Sequence, residues 1–298
     1  MSEHLKGLLI TLAGVICIIP DSIMARLIEA DPMTISFWRA SLTGSVTGLG
    51  VLIFMGTGAF RKVIALGPRA WIFGLANGIS GPLFVSAVNH TSVANVVIIV
   101  AALPIFTALM AWASLGERIS RRMGATIAAV AVGLAIVAYG SGETEGAHWQ
   151  GDALALMAAL TYAVGLTQAR HLRASTLLPA IPLGHLATAL GLIAFAAPLS
   201  VPATSYTYVL LHGGVFIVGS SVLISMGPRY LPPAEVALLL LLESALAPFL
   251  AWAVLDEPPG IYTVMGGAII LGALLVSNLI ALKRHKRVGP DEMPPALH

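Results

Sequence analysis

Long apolar stretches separated by short polar connections are the dominant pattern of this 298-residue chain. A helix needs roughly 20 residues to cross a bilayer core of ~30 Å, and ten stretches are about that long. They lie at residues 6–28, 33–55, 70–88, 94–114, 123–140, 151–171, 177–199, 206–226, 234–254 and 260–282. The pattern predicts an all-α membrane protein with ten transmembrane helices. Because the connections are short, we expect sequential helices to be antiparallel neighbours.

Composition supports this fold class and excludes others. The chain is 57% hydrophobic and only 10% charged, whereas a soluble domain has about 25% charged residues. A large soluble helical protein would lack the polar surface that it needs. The basic residues are few and divided among short loops, which gives no support for nucleic-acid binding. With a single cysteine, Cys17, the chain forms no internal disulfide.

Lys and Arg residues are distributed unevenly between the two sets of loops. With the N-terminus in the cytoplasm, fourteen of the sixteen basic residues fall on the cytoplasmic side, while Arg26 lies outside and Arg39 within the second helix. The external loops carry acidic residues instead: Glu29, Asp31, Glu143, Glu145, Asp256 and Glu257. The positive-inside rule therefore predicts a multi-pass protein of the plasma (bacterial inner) membrane with both termini cytoplasmic.

An internal repeat links the two halves of the chain. At an offset of 140, seven of 27 positions are identical between residues 91–117 and 231–257, and the block AWASLGE ending at Glu117 returns as AWAVLDE ending at Glu257. At an offset of 144, Ala25-Arg26 meets Ala169-Arg170. A matched Trp and Glu at fixed spacing are hard to obtain by chance. The chain is therefore interpreted as two copies of one five-helix unit.

Five is an odd number, so the second copy must enter the membrane in the opposite orientation. We predict a first repeat at residues 1–140, a second, inverted repeat at 151–282, and a disordered, basic cytoplasmic tail at 283–298. Inverted repeats recur in secondary transporters, because the two halves can exchange conformations and expose a central site to either side. This feature favours alternating access over a channel or a receptor.

Three segments carry a resemblance to a known family. VVIIVAALPIFTALMAWASLGERIS and VALLLLLESALAPFLAWAVLDE resemble the fourth and ninth helices of EamA family members of the drug/metabolite transporter superfamily, and SFWRAS resembles the second. The resemblance implies ten spans, no ATP or other cofactor, and export or exchange of small metabolites; the amino-acid exporter type is most similar. The chain departs from the family pattern at Ile19-Pro20-Asp21-Ser22, where many members have Trp-Gly-Ser/Asn, and at Ser244, where a Pro often follows the helix-nine Glu.

Asp21 and Arg39 are the first candidates for a site at membrane depth. An ionisable side chain at the bilayer centre costs roughly 2.5–3.5 kcal/mol, so it needs a partner, water or a function. Counting the rise per residue places both groups about 10 Å below the outer surface, where they can pair across the first helical hairpin. One interpretation is a structural salt bridge; the other places Asp21 in the cavity, where it holds a substrate amine or a coupling proton.

Glu243 is the second candidate. It lies midway along the ninth predicted helix, directly after five leucines, so nothing within one turn of its own helix can pair with it. Burial disfavours the charged form of a carboxyl group, which makes Glu243 a candidate for proton coupling or substrate binding. The alternative is a protonated acid that bonds to a neighbouring helix.

Other polar residues are weaker candidates for a binding site. Small residues at mid-depth in the third and eighth helices serve close helix packing or line a cavity. His185 and His212 are expected to pack with one hydrogen bond each, with proton relay as the alternative. The full set of candidate substrate-binding residues is Asp21, Ser22, Arg39, Asn77, Ser80, Asn95, Tyr162, Gln168, Ser220 and Glu243.

These observations predict a secondary active transporter that exports small polar metabolites, amino acids or related compounds. Efflux of lipophilic or quaternary cations is the alternative, and an intramembrane enzyme is a remote one. No Walker, zinc or nucleophile motif is present, so we expect no metal and no cofactor. The expected partners are a small-molecule substrate and the lipid bilayer, with the protein acting as a monomer or homodimer.

Overall fold

The computed structural model describes residues 3–116, 119–140, 148–172, 175–226, 230–231 and 233–287. Every regular element within these ranges is helical. The α-helices are α1 Glu3–Ile18, α2 Asp21–Leu27, α3 Pro32–Met55, α4 Thr57–Ala65, α5 Pro68–His90, α6 Val93–Val100, α7 Leu103–Leu115, α8 Arg121–Tyr139, α9 Trp149–His171, α10 Ala180–Leu192, α11 Tyr206–Val209, α12 Ile217–Met226, α13 Pro233–Leu255 and α14 Ile261–Arg287. A π-helical segment, Leu210–Phe216, joins α11 to α12.

Eight helical segments are long and apolar enough to cross a membrane. They are Glu3–Leu27, Pro32–Met55, Pro68–His90, Val93–Ser114, Arg121–Tyr139, Trp149–Ala169, Ala203–Ile224 and Ile261–Ile280. Two further apolar helices, α10 Ala180–Leu192 and α13 Pro233–Leu255, lie where the other two spans were predicted. The all-α membrane class is therefore confirmed. Eight spans are found within the described part of the chain, and the count of ten stays a prediction.

Breaks within the predicted spans are the main difference from the sequence pattern. The stretch 6–28 divides into α1 and α2 at Ile19-Pro20, because a proline cannot donate the backbone hydrogen bond that a continuous helix requires. The stretch 177–199 ends as a helix at Leu192, shortly before Pro198. At the C-terminus, α14 continues to Arg287 and so includes five residues of the predicted tail, while residues 288–298 lie outside the described residues.

Helices α8 and α14 occupy equivalent positions in the two predicted repeats and pack directly against each other. Gly140 lies against Tyr262 and Gly133 against Ile270. Near the start of α8, Arg122 Nη1 donates a hydrogen bond of 2.6 Å to the carbonyl oxygen of Ser277. Residue numbers on α14 fall as those on α8 rise, so the two helices are antiparallel.

The pair α3 and α10 shows the same relation. Gly44 of α3 lies against Leu186 of α10, and Gly48 lies against Pro182. These helices also run antiparallel. Equivalent helices of opposite direction are what an inverted repeat requires, and they pack at the interface between the halves.

The two halves also interleave elsewhere. Helix α5 of the first half packs against α9 and α10 of the second, and α1 packs against α12. The largest group of buried apolar residues draws on both halves, with Ile23, Val85, Val96, Val130 and Ile270 among its members. Because α2, α3, α5 and the π-helical segment converge beside this group, polar side chains on them lie in the middle of the bundle.

The contact between α5 and α10 leads to a test of the packing. A Cβ atom added to Gly184 would lie 1.8 Å from the carbonyl oxygen of Gly74, so Gly184→Ala must push the helices apart. We expect a loss of about 1–3 kcal/mol, as for other overpacked interiors, measured as a lower apparent Tm in detergent. Gly191→Ala on the same helix, where nothing lies within 4 Å, is the matched control and should keep the parent Tm. Equal Tm values for both variants would contradict this close contact.

Candidate functional site

Three ionisable side chains meet in the middle of the bundle. Arg39 Nη2 lies 3.0 Å from Asp21 Oδ2, and Arg39 Nε lies 3.4 Å from Asp21 Oδ1. His212 Nε2 lies 2.5 Å from the same Oδ1 atom. The side chains of Asp21, Arg39 and His212 are only 7%, 11% and 1% exposed. The predicted pairing of Asp21 with Arg39 is confirmed, and His212 is an additional partner.

Local backbone structure places each of these groups. The break at Pro20 makes Asp21 the first residue of α2. The π-helical segment carries His212 at its third position, and such single-turn π segments frequently occur at functional sites. Thr43 Oγ1 donates a hydrogen bond of 2.8 Å to the Gly213 carbonyl oxygen, which ties this segment to α3 one turn beyond Arg39.

Two glycines make room for Arg39. A Cβ atom on Gly81 of α5 would lie 2.4 Å from Arg39 Nη1, and one on Gly213 would lie 3.0 Å from the Arg39 Cα atom. The guanidinium group is therefore enclosed by α2, α5 and the π-helical segment. Because a carboxylate oxygen accepts and does not donate, His212 Nε2 carries the hydrogen when Asp21 is ionised. The negative charge of Asp21 and the positive charge of Arg39 then compensate each other.

Glu243 lies near this cluster without forming a hydrogen bond or ion pair with any described residue. It interacts electrostatically with Asp21, and Tyr162 of α9 interacts with both Glu243 and Arg39. Pro248 lies five residues further along α13 and leaves the carbonyl group of Ser244 without its helical donor. A half-buried carboxyl group and a carbonyl that lacks its usual helical donor thus occupy one region of α13.

The remaining predicted residues are placed less centrally. Asn77 and Ser80 bond to carbonyl groups of their own helix, those of Phe73 and Asn77, and Ser220 does the same with Ile217. Ser22 is buried beside Asp21, and Gln168 lies in the last turn of α9. The structure brings Asp21, Ser22, Arg39, Tyr162 and Glu243 into one region, and their role in binding stays a prediction.

Asn95 belongs to a different cluster, at the predicted outer end. Asp152 Oδ1 accepts hydrogen bonds from Thr91 Oγ1 at 2.8 Å and from Asn95 Nδ2 at 3.2 Å. Thr263 Oγ1 donates to Asn95 Oδ1. These four buried residues join α9, the α5–α6 connection, α6 and the start of α14. Asn95 therefore lies at an interface between helices, and its role in substrate binding stays a prediction.

Sequence reasoning did not place His212 beside Asp21, and it did not identify Asp152. His212 was expected to pack in an apolar helix with one hydrogen bond, and the His-Gly-Gly segment that forms the π turn was the available signal. Asp152 was not singled out at all, although it lies near the start of a predicted span. His185 behaves as expected, since its Nδ1 atom bonds to the Ile181 carbonyl oxygen at 3.0 Å.

The cluster suits the binding of a small charged or zwitterionic molecule. Arg39 offers a planar fork of donors that matches a carboxylate, and Asp21 and Glu243 are acceptors for an amine. Among the described residues, no group of three or more His, Cys, Asp and Glu side chains is arranged to hold a metal ion.

Comparisons with known proteins agree with this architecture. The model of the EamA-like transporter family matches residues 5–139 and, a second time, residues 149–279. A search of curated proteins found no match. Twelve solved chains are similar. One of them, titled "Crystal structure of protein", has 16% sequence identity and a TM-score of 0.63 over 94% of this chain and 99% of its own. At that identity the likeness shows the fold alone.

Because the Asp21–Arg39 pair is buried, we expect the loss of either partner to destabilise the protein strongly. Arg39→Gln leaves a buried carboxylate without its counter-charge, for which we expect a loss of about 3–5 kcal/mol. The double variant Asp21→Asn/Arg39→Gln should lose clearly less than the sum of the two single variants. The measurement is a double-mutant cycle of stability in detergent, with Arg61→Gln on the exposed face of α4 as the control. Additive losses would show that the pair is not coupled.

Proposed function

The chain belongs to the EamA-like transporter family, and from this premise we propose that it is a secondary active transporter that moves small polar metabolites by alternating access. The family match makes it a multi-pass membrane transporter of the drug/metabolite transporter superfamily, which confirms the resemblance found in its sequence. The substrate class, the direction and the mechanism are our proposals. We propose amino acids or related compounds as substrates and export from the cytoplasm as the direction.

The observation that carries the proposal is the buried Asp21–Arg39–His212 cluster, which both matched repeats build together. Asp21 and Arg39 lie in the first matched repeat, and His212 lies in the second. A movement of one repeat against the other changes the contacts of this cluster directly. Sites at the interface of inverted repeats, beside broken helices, are typical of secondary transporters.

The charges of the site favour a zwitterion such as an amino acid. Arg39 is the one guanidinium group of the cluster, and Asp21 already neutralises it. A substrate carboxylate that binds Arg39 displaces Asp21, and Asp21 or Glu243 then receives the substrate amine. Such an exchange of ion pairs keeps the buried site electrically balanced, which a membrane interior requires.

Proton coupling is assigned to the two carboxyl groups, Asp21 and Glu243. Glu243 has no ion pair among the described residues, so protonation removes its charge without breaking a salt bridge. His212 provides a neighbouring group whose Nε2 atom bonds to Asp21. We propose a bacterial inner-membrane location with both termini in the cytoplasm, based on the distribution of basic residues between loops.

A second candidate function, efflux of lipophilic cations, is favoured by one specific observation. Glu243 is a half-buried acid on an apolar helix and has no basic partner among the described residues. A flat organic cation is a suitable ligand for such a group. Uptake into proteoliposomes of a panel of labelled amino acids and cationic dyes separates the two candidates, and a proton ionophore reports coupling. Flux of dyes alone would contradict the amino-acid proposal.

Glu243→Gln tests the coupling role. The amide cannot exchange a proton, so we expect transport driven by a pH gradient to fall by roughly tenfold or more, equivalent to about 1.4 kcal/mol of coupling free energy or more. Counterflow exchange, which needs no net proton movement, should decline less. The readout is the ratio of the two rates in the same proteoliposomes. Glu29→Gln, an exposed acid at the predicted outer end, is the control, and an unchanged ratio in Glu243→Gln would remove this residue from the coupling mechanism.

A further inference from the structure

Arg26 joins three segments at the predicted outer end of the bundle. It lies in the last turn of α2. Its Nη2 atom lies 3.0 Å from Glu257 Oε1 and also donates a 3.0 Å hydrogen bond to the Thr91 carbonyl oxygen. Thr91 follows α5, and Glu257 lies in the connection between α13 and α14. One guanidinium group thus holds together the ends of three helical elements.

The Arg26–Glu257 pair crosses between the two matched repeats. Arg26 lies within residues 5–139 and Glu257 within residues 149–279. Arg26 is five residues beyond Asp21 on the same helix, which corresponds to about 7.5 Å along the axis. The pair therefore lies between the buried cluster and the predicted outer surface. If the repeats separate at this end, the pair has to break.

The two arginine–carboxylate ion pairs within the described residues differ in their exposure. The side chains of Arg26 and Glu257 are 31% and 16% exposed, whereas those of Arg39 and Asp21 are 11% and 7% exposed. The first pair is partly exposed at the predicted outer end, where water can rehydrate its charges when they separate. Moreover, Arg26 Nε is buried without a hydrogen-bond partner among the described residues. The guanidinium group of Arg26 therefore leaves one of its donors unused in this contact, which is consistent with a pair that opens repeatedly.

The internal repeat adds an argument from sequence. Arg26 is equivalent to Arg170, and Glu257 is equivalent to Glu117. The inverted arrangement assigns this second set of opposite charges to the other end of the bundle. Glu117 and the side chain of Arg170 lie outside the described residues, so the inference is restricted to Arg26 and Glu257.

We propose that the Arg26–Glu257 ion pair is a gate that closes the outer end of the transport path and breaks when the site opens outward. This inference rests on the proposed alternating access. Arg26 acts by holding the two repeats together, and it does not contact the substrate in this role. Loss of the pair shifts the population towards the outward-open state.

Thiol labelling tests the gate without measuring transport. In a Cys17→Ser background, Ser22→Cys places a reporter beside Asp21 at a position that is only 2% exposed. A membrane-impermeant maleimide is added to intact cells and, in parallel, to inverted membrane vesicles. With the gate closed, labelling from outside is slow. We expect Glu257→Gln to raise the outside rate roughly twofold to fivefold, the shift that follows from losing a partly exposed ion pair.

Asp256→Asn is the matched control, because it removes the same charge one residue earlier in the same connection. It should keep the parent labelling rate. The charge-swapped variant Arg26→Glu/Glu257→Arg should restore slow labelling, which an unfolded protein would not show. Equal rates in Glu257→Gln and the parent, equal effects of Glu257→Gln and Asp256→Asn, or faster labelling from the cytoplasmic side alone would overturn the gate.

Failure of the gate and failure of the proposed function are separate outcomes. Labelling needs no substrate, so a faster outside rate in a protein that transports nothing would support the gate and contradict the proposed function. Normal amino-acid transport with unchanged labelling in Glu257→Gln would retain the function and overturn the gate.

Discussion

The buried pairing of Asp21 with Arg39 is the interaction on which the rest of the site depends. A lone charge at this depth costs several kcal/mol, and a buried pair is tolerated only with good geometry and further hydrogen bonds. The break at Pro20 between α1 and α2 makes Asp21 the first residue of α2, and Gly81 leaves space for the guanidinium group. His212 provides the additional bond to Asp21. Backbone irregularity, small residues and an imidazole thus all serve one charge pair.

Much of this could be predicted from sequence, because a membrane simplifies the rules. The length of the apolar stretches indicates the membrane spans, and the basic residues indicate which loops are cytoplasmic. The AWASLGE and AWAVLDE blocks indicate the internal repeat. The Asp21–Arg39 contact was predictable since two opposite charges at equal depth on consecutive antiparallel helices have few other partners. The same reasoning identified Glu243 as a carboxyl group without a partner on its own helix, and the structure gives it no ion pair among the described residues.

What could not be predicted depends on lateral neighbours between helices distant in sequence. His212 is 191 residues from Asp21, and nothing in its apolar surroundings indicates which helix it faces. The π-helical turn that carries it changes the helical phase, which a regular 3.6-residue period does not anticipate. Asp152 likewise finds Thr91 and Asn95 only through the packing of α9 on the α5–α6 connection. Hydropathy gives depth in the membrane, but it does not give the direction of a side chain around its helix.

The different surroundings of the two ion pairs suggest how one fold holds a site and still moves. The Asp21–Arg39 pair is buried, and His212 bonds to Asp21. The charges of the pair therefore separate only when a ligand group of the same charge takes the place of the lost partner. Arg26–Glu257 is partly exposed at the predicted outer end, where water can take the place of either partner. The inner pair is therefore suited to exchange with a charged substrate, whereas the outer pair is suited to opening and closing by solvent alone. Because α2 carries both Asp21 and Arg26, the substrate binding that we propose at one end of this short helix would have a direct mechanical route to the contact at the other.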